Sequence, residues 1–155
     1  MQQERFEPFT VLITGIHRDI QKLKHHYTRD MGLKTVHAFW LYLLRTHPEG
    51  LSASQLAQYG RSTRALVSRE IDELVQGGLI TTPEHSEKRR YGWRFVLTDA
   101  GRQKADRIAH IAMQVQRGVS ADIPQEDLQV FYRTLDTLSA NFDRLVQQDE
   151  KGEFL

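Results

Sequence analysis

The chain has 155 residues, of which 39% are apolar and 26% charged, and its net charge is +1. This is the balance of an ordinary globular protein, so disorder is not expected, and any basic surface must be local. Cysteine is absent, which excludes disulfides, thiolate metal sites, cysteine nucleophiles and thiol redox sensing.

The first segment, MQQERFEPFTVLITGIHRD, has a short apolar run but no basic n-region and no small-residue cleavage site. It does not read as a signal peptide, and no run approaches the roughly 18 apolar residues of a membrane span. A cytoplasmic location is the default expectation.

Residues 8–28 place Phe9, Ile13, Ile16, Ile20, Leu23 and Tyr27 at alternating steps of four and three. That spacing predicts a long helix with an a/d seam. Pro8 suits its first turn, and Gly32 breaks it. Residues 34–46 are dense in apolar side chains (Val36, Phe39, Trp40, Leu43, Leu44), which predicts a helix buried on most faces. Ser52 and Gln55 fit a capping box for a third helix, with Leu56 and Ala57 facing inward.

After the turn Gln58-Tyr59-Gly60, Ser62 or Thr63 caps a fourth helix running to about Gln76. Val67, Ile71 and Leu74 form its inner face, and Gly77-Gly78 stops it. LITT (79–82) and WRFVL (93–97) read as two short strands, with Trp93, Phe95 and Leu97 on one face. Between them lies EHSEKRRYG, whose Lys88, Arg89 and Arg90 sit at the hairpin tip.

Thr98 caps a fifth helix over 99–117, with Ala105, Ile108, Ala112 and Val115 at three-four steps and Gly118 as its break. Pro124 starts the last helix, whose Leu128, Phe131, Leu135, Leu138, Phe142 and Leu145 make the strictest heptad in the chain. The expected fold class is mainly α with a small β-hairpin wing: a winged helix-turn-helix with long N- and C-terminal dimerisation helices. Residues 34–97 form the DNA-binding module, 6–28 and 99–148 the helical dimerisation module, and the two make one interlocked domain.

The order helix, tight turn, helix, strand, basic loop, strand is what a DNA reader needs. The second helix of a helix-turn-helix enters the major groove with its N-terminal residues on base edges. Here that helix begins RSTRALVSRE, and Arg61, Ser62, Thr63, Arg64, Ser68 and Arg69 lie at its start or on its non-core face. Arginine takes guanine edges bidentately, Ser and Thr bond bases or phosphates, and an outward Ala65 or Leu66 can meet a thymine methyl. A basic loop between two strands can put an arginine into the minor groove. Taken alone, either feature could be an ordinary solvated surface; together they favour DNA.

LSASQLAQYGRSTRALVSREIDELVQGGLI (51–80), the basic loop and VLTDAGRQKADRI (96–108) resemble the multiple antibiotic resistance regulator (MarR) family of bacterial winged-helix transcription regulators. Ser68-Arg69, Asp72, Leu74, GGLI and LT-x-x-G at 97–101 carry the resemblance. It implies an all-helical homodimer with one small wing per subunit and interlocked terminal helices. It also implies a ligand-responsive repressor on pseudo-palindromic double-stranded DNA. The family's Asp-x-Arg or Asp-Arg-Arg wing signature is replaced by Glu87-Lys88 ahead of Arg89-Arg90. Arg90 is the preferred minor-groove residue, with Arg89 and Arg94 as alternatives. Glu70 stands where relatives usually have an apolar residue, which suggests a solvent-facing or ion-paired site.

The resemblance further suggests a crevice for a small aromatic effector, lined by His25, Tyr27, Met31, His37, Trp40 and Ile111, although Trp40 and its neighbours could equally be plain core. Some relatives sense zinc, and Asp106 and His110 share a helix face four residues apart. With no HExxH and no cysteine, no metal or cofactor is expected; a zinc-responsive regulator of the same fold is the alternative. Another is a winged-helix protein–protein adaptor. No catalytic spacing or phosphate loop points to an enzyme.

Overall fold

The computed structural model describes residues 3–82 and 93–152, with side chains from residue 7 onward. Lys88, Arg89 and Arg90 lie outside the described residues. Six helices are described: α1 (Gln3–Asp30), α2 (Thr35–Thr46), α3 (Ala53–Gly60), α4 (Arg64–Gln76), α5 (Asp99–Val119) and α6 (Gln125–Glu150). Three short strands, β1 (Leu51–Ser52), β2 (Ile80–Thr81) and β3 (Arg94–Leu97), form an antiparallel sheet in the order β1-β3-β2. Leu51 pairs with Phe95, and Ile80 pairs with Leu97. The hairpin expected from LITT and WRFVL is present, and β1 adds a third strand that is too short to show a period-two pattern.

Compact packing divides the chain into two units, Met1–Ile111 and Ala112–Leu155, with the boundary inside α5. The first unit holds the core. Trp40, Leu41, Leu44, Leu51, Leu56, Val67, Ile71, Leu74, Ile80, Phe95 and Leu97 are buried together. The inner faces anticipated for α3 and α4 are the observed ones. α2 differs: Leu41 and His37 are buried, while Phe39 remains exposed. On α5 the buried stripe is Gly101, Ala105 and Ala109, one position off the expected seam beyond Ala105. α5 presents its smallest residues to the core, which lets the helix approach closely.

That approach explains the LT-x-x-G motif. Thr98 Oγ1 donates to the Gly78 carbonyl at 2.6 Å and accepts from the Gly101 N–H at 3.0 Å. Its own N–H donates to the Leu79 carbonyl at 3.1 Å. One residue therefore caps α5 and ties it to the end of α4. A Cβ on Gly101 would stand 1.9 Å from the Leu79 carbonyl oxygen, so no other residue fits without moving backbone.

Two boundaries differ from expectation. α1 begins at Gln3, so Pro8 lies inside the helix rather than in its first turn; the missing N–H removes one helical bond and does not end the helix. Gly118 sits within the last turn of α5 and does not break it. Gly32, at φ +65°, does end α1 as expected, and the Leu33 N–H reaches back to the Thr28 carbonyl. Lys104 Nζ then donates to the Met31 carbonyl at 2.6 Å, fastening α5 to this corner.

Much of the α1 seam lies bare: Ile13, Ile16, Ile20 and Leu23 are exposed, as are the neighbouring Val11 and Leu12. α6 contains no buried residue, and its Phe131, Phe142 and Leu145 are exposed. Among the described residues, no helix is long and apolar enough to cross a membrane.

Replacing Gly101 by Ala should cost about 3 kcal/mol or more, because the new methyl meets backbone rather than a yielding side chain. A thermal melt should show a midpoint lower by roughly 10 °C; an unchanged midpoint would mean that α5 does not approach Leu79 this closely.

Candidate nucleic-acid interface

The helix-turn-helix is built from α3, a three-residue turn and α4. α3 opens with a complete capping box: Ser52 Oγ accepts from the Gln55 N–H, and Gln55 Oε1 accepts from the Ser52 N–H. It closes at Arg61, whose φ of 47° lies in the left-handed region. A non-glycine residue there stores about 1 kcal/mol of strain, and glycine would relieve it. Ser62 Oγ then donates to the Gly60 carbonyl, and Thr63 Oγ1 accepts from the Leu66 N–H to cap α4. Of the two caps anticipated, Thr63 is the one used.

Trp40 lies beneath this turn. Its Nε1 would stand 3.4 Å from a Cβ at Gly60, and the buried indole N–H has no hydrogen-bond partner among the described residues. The indole fills the space under the turn, so Trp40 is core.

α4 has two faces. Val67, Ile71 and Leu74 are buried with Glu70. Thr63, Arg64, Ala65, Leu66, Ser68 and Arg69 are exposed, as is Arg61, while Ser62 is half-buried. No acidic residue stands in the first turn of α4. The first turn therefore carries no carboxylate to oppose an anion at the positive end of the helix dipole.

Glu70 overturns half of what its position suggested. It is ion-paired but not solvent-facing, with 3% of its surface exposed. Oε2 accepts from Lys34 Nζ at 3.1 Å and from His37 Nε2 at 2.8 Å. Oε1 accepts from Arg69 Nη2 at 2.9 Å and Nε at 3.2 Å. Lys34 Nζ also lies 2.5 Å from Glu73 Oε2. Burial alone would raise the Glu70 pKa; the hydrogen bonds from Arg69, Lys34 and His37 outweigh it and bring it below its ordinary value. Hydrogen bonds to Glu73 and Glu70 raise Lys34 in turn.

This cluster was hidden because its members carry separate signals. His37 is buried against Glu70 rather than lying at the surface. Lys34-x-x-His37 at the start of one helix and Glu70-x-x-Glu73 on the inner side of another were the legible clue.

Arg94 Nη1 donates to the Gly50 carbonyl at 3.0 Å, which places it at the base of the hairpin. Met31 and Trp40 are buried, His25 is exposed, and Tyr27 and Ile111 are half-buried. A cavity of about 200 Å³ is lined by Ser68, Ile71, Asp72, Thr81, Trp93 and Phe95, among others. Asp106 accepts from Arg45 Nε at 2.6 Å, so that ion pair already occupies one half of the Asp106–His110 pair.

A helix-turn-helix followed by an antiparallel hairpin, with basic and small polar residues on the outer face of its second helix, defines a winged helix-turn-helix protein. A family model described as the MarR family matches residues 31–90. That segment matches the MarR family's model, and the chain has the fold of solved MarR-family structures. A MarR-family transcriptional regulator from Silicibacter pomeroyi is 24% identical, with 89% of this chain and 90% of that chain covered and a TM-score of 0.73. The S. aureus MepR–DNA complex gives 16%, 86% and 96%, and 0.76. Staphylococcus aureus MarR in complex with salicylate and kanamycin gives 17%, 89% and 91%, and 0.72. No curated protein sequence matches.

Glu70→Gln should cost about 1–2 kcal/mol near neutral pH, discounted for the exposure of Lys34 and Arg69. The folded pKa of Glu70 lies below its usual 4.5. The stabilisation is therefore complete above about pH 4.5 and is lost as pH falls through the folded value. Urea melts of the two proteins should differ at pH 7 and converge on acidification; a gap that widened would reverse the assigned sign.

Proposed function

We propose that this protein is a sequence-specific, double-stranded-DNA-binding transcription regulator that acts as a homodimer. The observation that carries this reading is the outer face of α4, where Arg64, Ser68 and Arg69 project from a helix start with no carboxylate in its first turn. Arg61, Ser62 and Thr63 in the turn, and Ala65 beside them, complete the groove-facing surface. Lys88, Arg89, Arg90 and Arg94 are proposed as the wing contacts, with Arg90 in the minor groove. The fold shared with a relative seen in complex with DNA supports the same use of the helix.

The dimer reading rests on the uncovered apolar side chains of α1 and α6. Bare rows of Ile, Leu and Phe at heptad-like spacing are what helices present to a partner helix. A two-fold dimer would place half-site centres about 10 bp apart and call for a pseudo-palindromic operator. We further propose a ligand-responsive repressor. A structural relative binds salicylate, which makes a small aromatic anion the first effector to test here.

The protein should footprint the DNA upstream of its own gene, and log K should fall steeply with log salt. Arg64→Ala should cost about 1–3 kcal/mol on the preferred sequence and flatten sequence preference. Arg90→Ala should weaken binding to most sequences alike. A flat salt response with no footprint would favour the adaptor reading instead.

Sedimentation should give twice the chain mass at micromolar concentration, and Ile16→Glu combined with Leu145→Glu should shift it toward one chain. A monomer in the unmodified protein would remove the dimer.

A further inference from the structure

We propose that His37, Glu70 and Glu73 form a divalent-metal site of zinc's class at the joint between α2 and α4, which an ion enters by displacing the Lys34 ammonium. One ligating atom from each of the three side chains lies within 4.8 Å of the others. His37 Nε2 stands 2.8 Å from Glu70 Oε2 and 3.7 Å from Glu73 Oε2. Nitrogen and oxygen ligands about 2.0–2.1 Å from a tetrahedral ion stand about 3.3 Å from each other. The His37–Glu70 and His37–Glu73 separations straddle that value and the third lies within 4.8 Å, so side-chain rotations can close the site.

The nook already holds a cation. Lys34 Nζ bridges Glu70 Oε2 and Glu73 Oε2. The Lys34 side chain is 51% exposed, so it can leave for water without opening the core. A divalent ion beside two carboxylates and a neutral imidazole leaves no net charge, and the fourth position falls to water. Ligation needs the Nε2 lone pair, so a proton on His37 Nε2 passes to Nδ1 or is released to water as the ion binds. Arg69 keeps Glu70 Oε1, the outer-shell contact that orients a ligating carboxylate. One imidazole and two carboxylates suit zinc and manganese, and with no thiolate present a monovalent copper ion is a poor fit.

Glu70 and Glu73 belong to α4, and His37 belongs to α2. The ion would lock the proposed reading helix to its support and hold Arg69 in place. This regulatory consequence rests on the proposed function; the binding site itself does not.

The test is direct titration of the chelator-treated full chain with zinc and, separately, with manganese, by calorimetry and by competition with a fluorescent chelator. One ion per chain at micromolar affinity or tighter is expected. Glu73→Gln, at a half-exposed position that leaves the core intact, should weaken it about tenfold or more. His37→Gln should do the same, with circular dichroism confirming its fold. Lys34→Met should tighten binding, because the competing ammonium is gone. Lack of stoichiometric binding, or binding that ignores both Glu73→Gln and Lys34→Met, would overturn the site. DNA retardation by the metal-free protein, measured separately, tests the DNA reading on its own, so failure of one leaves the other interpretable.

Discussion

The buried carboxylate of Glu70 is the constraint around which the winged helix-turn-helix is arranged. Placing an ionised group in a protein interior costs several kcal/mol unless its oxygens are well met. Here both are met, by Lys34 and His37 on one oxygen and by Arg69 on the other. The apolar contacts of Val67, Ile71 and Leu74 bury one side of α4, but such contacts are non-directional. They tolerate a few degrees of helix rotation at small cost. Hydrogen bonds near 2.8–3.2 Å do not, because they weaken steeply with angle. The polar cluster thus fixes the azimuth of α4, and with it the direction in which Arg64, Ser68 and Arg69 point.

A second close contact positions the hairpin. Gly101 lets the first turn of α5 lie against the Leu79 carbonyl, and Thr98 bonds across the same gap. β2 begins one residue after Leu79, and β3 ends one residue before Thr98. The base of the wing is therefore tied to α4 and α5 at once. Trp40 performs the corresponding task under the turn between α3 and α4. Its cost is an indole N–H left without a partner among the described residues, which costs about 1–3 kcal/mol. That cost is offset by burying one of the two largest aromatic residues of the chain.

Features that announce themselves through local chemistry were legible in the sequence. The Ser52–Gln55 capping box, the Thr98 cap and the three-four spacing of Val67, Ile71 and Leu74 each depend on neighbours a few residues away, and each stands as expected. What escaped notice depends on long-range proximity. Leu51-Ser52 becomes a strand only because Phe95 and Arg94 arrive beside it. His37 looks like any scattered histidine until Glu70, 33 residues later, is placed on it. Glu70 itself drew attention as a departure from the resembled family's pattern, but whether it faced water or partners could not be decided from helical phase alone. It shares the inner face with Val67, Ile71 and Leu74, and a charge at an apolar phase is readable as buried only if its counter-charges can be found.

The same arrangement says what a regulatory signal has to overcome. In the proposed regulator, recognition depends on the angle of α4, and that angle is held by directional contacts to the start of α2. An effector that reorients the reading helices must either move α2 and α4 together or break the Glu70 hydrogen bonds. The second route leaves a buried carboxylate poorly met and is the costlier one. An effector shifts the equilibrium only by its differential affinity for the two geometries. A rigid-body displacement of the α2–α4 pair, with its polar joint intact, asks the least of that difference. A metal ion at the proposed site in the Glu70 joint would stiffen the α2–α4 pair, so that it moves as one body rather than shearing.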